Sequence, residues 1–103
     1  MKVYVAGPLT VGSEMHNVRV AIEAAETLLR RGYSPYVPHL NVLWHLIFPH
    51  GYEAWMSLDF AYLEVCDALL RLPGESPGAD REVAFAKRRG MRVEYNIEAF
   101  TPL

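Results

Sequence analysis

Cysteine is almost missing from the chain: Cys66 is the only one in 103 residues. An intramolecular disulfide is therefore excluded, and a buried thiol in a reducing, cytoplasmic setting is the expectation. No apolar run approaches the roughly 20 residues a membrane-spanning helix requires, so no membrane partner is expected. A strand is read from Lys2 onward, so no signal peptide is expected. Net charge is −2 and no basic run is long enough to form a nucleic-acid stripe, so a nucleic-acid polymer is not an expected partner. The Gly-rich signatures of dinucleotide and P-loop sites are missing, as is the GxSxG turn of serine hydrolases. Four histidines (His16, His39, His45, His50) match no helical zinc spacing, and one cysteine adds little. Neither a metal nor an organic cofactor is expected.

What is present is a well-patterned globular chain. Apolar residues make up 51% and charged residues 21%, which excludes a disordered polyelectrolyte and suits one domain spanning 1–103. The most informative stretch runs from Ala68 to Gly90. Ala68, Leu69, Leu70 and Leu72 form a short apolar run bounded by Pro73-Gly74, the pattern of a buried strand. Ser76-Pro77 then reads as a helix start, with a hydroxyl at the N-cap and proline at the first helical position. Lys87, Arg88 and Arg89 fall in the last turn, and Gly90 ends the helix. Glu82 is expected inside the first turn of that helix, where the dipole favours the ionised carboxylate. A glutamate there could equally serve the helix alone, and Ser76 could cap, bind an anion, or do both.

Elsewhere, Lys2–Ala6 reads as a buried strand ended by Gly7-Pro8. Val18, Ile22, Ala25 and Leu29 recur at helical spacing, with Glu23, Glu26 and Arg30 opposite. Tyr33–Val37 is a short strand whose Pro35 suits an edge position. Residues 38–51 read as an aromatic loop with one or two helical turns, and 52–65 as a helix with Trp55, Leu58, Tyr62 and Val65 on one face. Met91–Glu94 is a last strand, and 95–103 a tail with one helical turn.

This strand–helix alternation predicts an α/β fold, a small flavodoxin-like or Rossmann-like three-layer sandwich. Its parallel sheet would have four or five strands in the order 2-1-3-4. Ligands in such sheets bind beyond the strands' carboxyl ends, where the order switches. Here that is between Gly7–Ser13 and Pro73–Ala79. Asp59 is a poor mid-helix residue by propensity; it is either an exposed acid or a second carboxylate at that end. Two carboxylates are what breaking a glycosidic bond asks for: one attacks the anomeric carbon, and the other manages the leaving group's proton. Tyr4 projects from the first strand and matters only if its hydroxyl reaches the pocket.

Taken together, Tyr4-Val5-Ala6-Gly7-Pro8, the pair Asp59 and Asp67 eight residues apart, and Ser76-Pro77-Gly78-Ala79-Asp80-Arg81-Glu82 resemble the nucleoside 2-deoxyribosyltransferases and related nucleoside-monophosphate N-glycosidases. They also resemble a short, phage- and bacteria-borne branch of that group. The resemblance covers most of the chain. It implies Glu82 as the nucleophile forming a covalent glycosyl intermediate, Asp59 as the residue assisting the leaving base, and Tyr4 as the hydrogen-bond partner of the nucleophile. Gly7 belongs to the family's opening turn. Ser76 and the amides near Gly78 correspond to the 5′-phosphate contact, while Trp44 and Trp55 would wall the base. The arginine that the monophosphate branch places after the first strand is missing; Arg19 and Arg81 are the candidates to replace it.

The expected function is therefore cleavage or exchange of the N-glycosidic bond of a nucleoside or its 5′-monophosphate. The alternative is a nucleotide-binding or sensing module of the same fold without turnover. The resemblance and the apolar 36–48 region also imply a homo-oligomer.

Overall fold

The computed structural model describes residues 1–103. Four strands form one parallel sheet: β1 (Lys2–Ala6), β2 (Ser34–Tyr36), β3 (Ala68–Arg71) and β4 (Arg92–Glu94), in the order 2-1-3-4. The helices are α1 (Glu14–Arg30), α2 (Asn41–Ile47), α3 (Tyr52–Leu63) and α4 (Pro77–Arg88). Single 3-10 turns at Pro38–Leu40 and Ile97–Ala99 complete the chain. This is the three-layer, flavodoxin-like arrangement expected. Pro35, which cannot donate to a ladder, lies on the edge strand β2. No helix is long and apolar enough to cross a membrane.

Strand alternation sorts the core into two layers. Val3 and Val5 of β1 and Ala68 and Leu70 of β3 pack with Ala21, Ala24 and Leu28 of α1. Tyr4, Ala6 and Leu69 face the other way, onto Leu63 of α3 and Ala79, Val83 and Ala86 of α4. Two expected helix faces are rotated. In α1 the buried residues are Ala21, Ala24 and Leu28, while Ile22 and Leu29 are 42% and 59% exposed. Alanines let the helix approach the sheet closely, and their weak hydrophobicity hides that face in the sequence. In α3 the buried residues are Met56, Asp59 and Leu63, while Tyr62 is half exposed and stacked on Tyr36 at 4.8 Å, and Val65, just past the helix, is exposed. Apolar residues surround that helix, so periodicity could not select a side.

The C-terminal tail is more than a turn. Phe100 is fully buried in the α1 layer, edge-on to Tyr33 at 5.5 Å between ring centroids. The site-bearing loops are also tied together. Leu72 donates its amide to Ala6 across 2.8 Å. Gly74 has φ +114°, and a Cβ there would lie 2.8 Å from Cγ of Pro8, so only glycine fits where the loops after β1 and β3 meet.

Candidate active site

A cavity of about 580 Å³ opens at the carboxyl end of the sheet, where β1 and β3 send their chains in opposite directions. The loop after β1 contributes Gly7, Leu9, Thr10 and Val11, and the start of α4 contributes Ser76 to Ala79. The wall is completed by Glu14 of α1, by His39 after β2, and by side chains of α2 and α3.

Glu82 stands in the second turn of α4, on the same buried face as Ala79, Val83 and Ala86. It is not in the first turn as expected; Asp80 is the first-turn acid. At that depth the helix dipole is weak. Burial dominates instead and pushes the Glu82 pKa up to about 8, against the hydrogen bond from Tyr4, which favours the anion. Tyr4, fully buried at the centre of β1, donates its hydroxyl to Oε2 of Glu82. Burial and the adjoining carboxylate raise the Tyr4 pKa, so the phenol stays protonated and donating. The resemblance had Tyr4 as the partner of Glu82, and the two side chains meet.

Asp59 comes from mid-α3, is buried, and lines the same cavity as Glu82. Its Oδ1 has no hydrogen-bond partner, and burial pushes its pKa up to about 7. Its charge also raises the Glu82 pKa, so the carboxyls titrate as a pair. Between about pH 7 and 8 that pair holds close to one proton.

Asp59 gives a stability prediction. Its folded pKa lies above the ordinary 3.8, so the folded state holds the proton to higher pH than the unfolded chain. The associated stability is full below about pH 4 and is lost as pH rises through about 7. Asparagine does not titrate. Denaturation of Asp59→Asn against wild type should show the variant gaining about 1–3 kcal/mol relative to wild type between acid pH and pH 8. A pH-independent difference would contradict this.

The remaining expected residues divide. Gly7 lines the cavity, and a Cβ on it would lie 2.9 Å from Cβ of Leu72. Gly78 lines it too, below the Tyr52 hydroxyl. Ser76 is on the wall, but its Oγ accepts from the Ala79 amide at 3.1 Å, the capping geometry. Trp55 is a wall residue whose indole N–H donates to Nδ1 of His45 across 2.9 Å. Trp44 does not line the cavity. It sits outside, edge-on to Trp55 at 5.1 Å, and braces that ring instead of meeting a ligand. Asp67 lies at the opposite end of the sheet, where its carboxylate accepts the Lys2 amide at 2.7 Å.

His39 is a wall residue that the sequence reading did not single out. It is 3% exposed, and its Nε2–H donates to the Pro8 carbonyl at 2.9 Å, leaving Nδ1 without a partner. Burial lowers its pKa and favours the neutral ring. Only its position just after an edge strand's carboxyl end could have marked it. No group of three or more His, Cys, Asp or Glu side chains is arranged to hold a metal ion.

Fold and site together define an α/β domain with a buried Tyr–Glu pair and a neighbouring aspartate at its topological switch point. The chain belongs to the family described as a domain of unknown function (DUF4406), whose match covers residues 1–95. No curated protein matches it.

Proposed function

We propose that this protein is a nucleoside 2-deoxyribosyltransferase-like enzyme that cleaves or exchanges the N-glycosidic bond of a nucleoside or nucleotide. The observation that carries this reading is the buried Glu82 carboxyl, held by the Tyr4 hydroxyl on the wall of a cavity that also presents the unpartnered Asp59 carboxyl. The cavity volume suits a ligand of nucleoside size.

The reactive form is the minor arrangement of the singly protonated pair, with Glu82 ionised and the proton on Asp59; Glu82, with the higher pKa, holds it in the major one. The Glu82 carboxylate attacks C1′ as the C1′–N bond breaks, and the bonding electrons leave with the base, which takes the Asp59 proton. A glycosyl ester on Glu82 results. Water or a second base then attacks C1′, gives its proton to Asp59, and releases Glu82. Tyr4 holds the nucleophile in place and remains protonated throughout. The wall indole of Trp55 offers a face for the base.

Base release from a panel of ribo- and deoxynucleosides and their 5′-monophosphates, with and without a free acceptor base, tests the proposal. Ligand binding without base release from any compound would favour the sensing module. That second reading draws on the raised Glu82 pKa, which weakens the nucleophile at neutral pH.

A pH profile follows from the pair. The singly protonated form declines below about pH 7, where both carboxyls are protonated, and above about pH 8, where neither is. The kcat/KM profile should be a narrow bell with its maximum between these limbs. A rate that rises steadily to pH 10 would count against Asp59 as the acid.

Self-association is part of the same proposal. Leu43, Leu46, Ile47 and Phe48 are each more than 65% exposed, and α2 buries none of its residues. A contiguous apolar surface of this kind favours a partner copy. Light scattering at micromolar concentration should give a mass above that of the monomer, and a monomeric mass would refute it.

A further inference from the structure

We propose that the cavity takes an unphosphorylated nucleoside in preference to the nucleoside 5′-monophosphate, an inference that rests on the N-glycosidic reading above. The cavity wall carries three carboxyl side chains, Glu14, Asp59 and Glu82, and no lysine or arginine. A phosphate dianion entering there would meet like charge without a fixed counter-charge. A sugar hydroxyl, in contrast, can donate to a carboxylate or accept from a protonated carboxyl, so it pairs with this wall in either protonation state.

The arginines that could serve a phosphate are engaged elsewhere. Arg19 pairs with Glu23 at 2.9 Å on the exposed face of α1. Arg81 pairs with Glu53 at 2.9 Å and lies over the rings of Tyr52 and Phe60. Arg71 is buried, with its guanidinium bonded to the Leu72 and Gly74 carbonyls and to Asp80. None of the three is a wall residue.

The start of α4 does not make up the deficit. Helix N-termini attract anions through free amides. Here Pro77 has no N–H, the Ala79 amide donates to Ser76 Oγ, and the Asp80 amide donates to the Ser76 carbonyl. Among these first-turn positions only Gly78 keeps an amide outside those bonds, and the Asp80 carboxylate is paired with Arg71 at 3.0 Å. Ser76 and Gly78 are therefore a cap and a close-packed wall, not a phosphate cradle. Three imidazoles line the wall, those of His39, His45 and His50, and burial favours the neutral ring at His39. His39 donates from Nε2 with Nδ1 bare, and His45 Nδ1 accepts from the Trp55 indole and the His50 amide.

The test measures kcat/KM for base release from each nucleoside and from its 5′-monophosphate near neutral pH. In parallel, dissociation constants of the same compounds are measured by calorimetry on wild type and on Glu82→Gln. The nucleoside should exceed its monophosphate by about 100-fold in kcat/KM and at least about 10-fold in affinity. A monophosphate that reacts or binds as well as its nucleoside overturns the inference. If no compound releases base, the enzymatic reading fails, yet tighter binding of the nucleoside still supports this preference. Equal or tighter binding of the monophosphate, or binding of neither, overturns it.

Discussion

Glu82→Gln should lower kcat/KM for base release by at least about 10⁴-fold, equivalent to about 5.5 kcal/mol of transition-state stabilisation. The amide keeps the size of the side chain, and its carbonyl oxygen still accepts the Tyr4 hydroxyl. What disappears is the nucleophile, because an amide forms no glycosyl ester. A positional defect would be far milder than this. Folding should not suffer. Burial holds the Glu82 pKa near 8, well above the ordinary carboxyl value, so the stability linked to its proton is lost as pH rises toward 8. Removing the titration should leave the variant at least as stable as wild type at alkaline pH. The decisive measurement combines initial rates on the best nucleoside with intact-mass spectrometry of the quenched reaction. Wild type should show a pentosyl adduct on the Glu82 peptide, and the variant should show none. Rates within tenfold of wild type would remove Glu82 from the chemistry. An adduct persisting in the variant would identify another nucleophile.

The same residue illustrates what was legible beforehand. The strand at 68–71, the Ser76 cap, Pro77 at the first helical position and Gly90 after the helix are local signals, and each depends on neighbours in sequence. The order 2-1-3-4 follows from element alternation and from Pro35 marking an edge. Burial is not local. Glu82 is buried because α4 lies on Tyr4 and Leu69 across the sheet, and a helix dipole argument made along one helix has no access to that desolvation. Asp59 was ambiguous between an exposed acid and a site carboxylate because apolar side chains surround α3. Its burial fixes which side faces inward. Trp44 and Trp55 are both helical aromatics beside the cavity, but only Trp55 reaches the wall. Separating them required the angle between α2 and α3, which no spacing rule encodes.

The tail is where sequence reading was weakest and where the largest stability effect is expected. Phe100→Ala should cost about 3–5 kcal/mol and lower Tm by roughly 15 °C or more. Phe100 follows a single 3-10 turn, lies beyond residue 95 where the family match ends, and has no periodic context to mark it. Even so, it is completely buried among Val3, Leu28, Tyr33 and the rest of the α1 layer. Its surroundings hold the backbone in place. Arg31 donates to the Ile97 and Phe100 carbonyls at 3.2 and 3.1 Å, and the Tyr33 hydroxyl donates to the Thr101 carbonyl at 2.6 Å. The Arg92 guanidinium lies 4.6 Å from the Phe100 ring centroid. Alanine would leave a cavity bounded by groups that sheet and helix hold fixed, so little collapse can offset the loss. Leu103→Ala is the control: this side chain is 75% exposed, and the change should stay within about 0.5 kcal/mol. Phe100 lies across the sheet from Glu82, so at temperatures where the variant remains folded, base release should stay within about twofold of wild type. A variant that keeps wild-type Tm would mean the tail is not anchored by this ring. One that keeps its fold but loses activity would mean the tail contributes to the site.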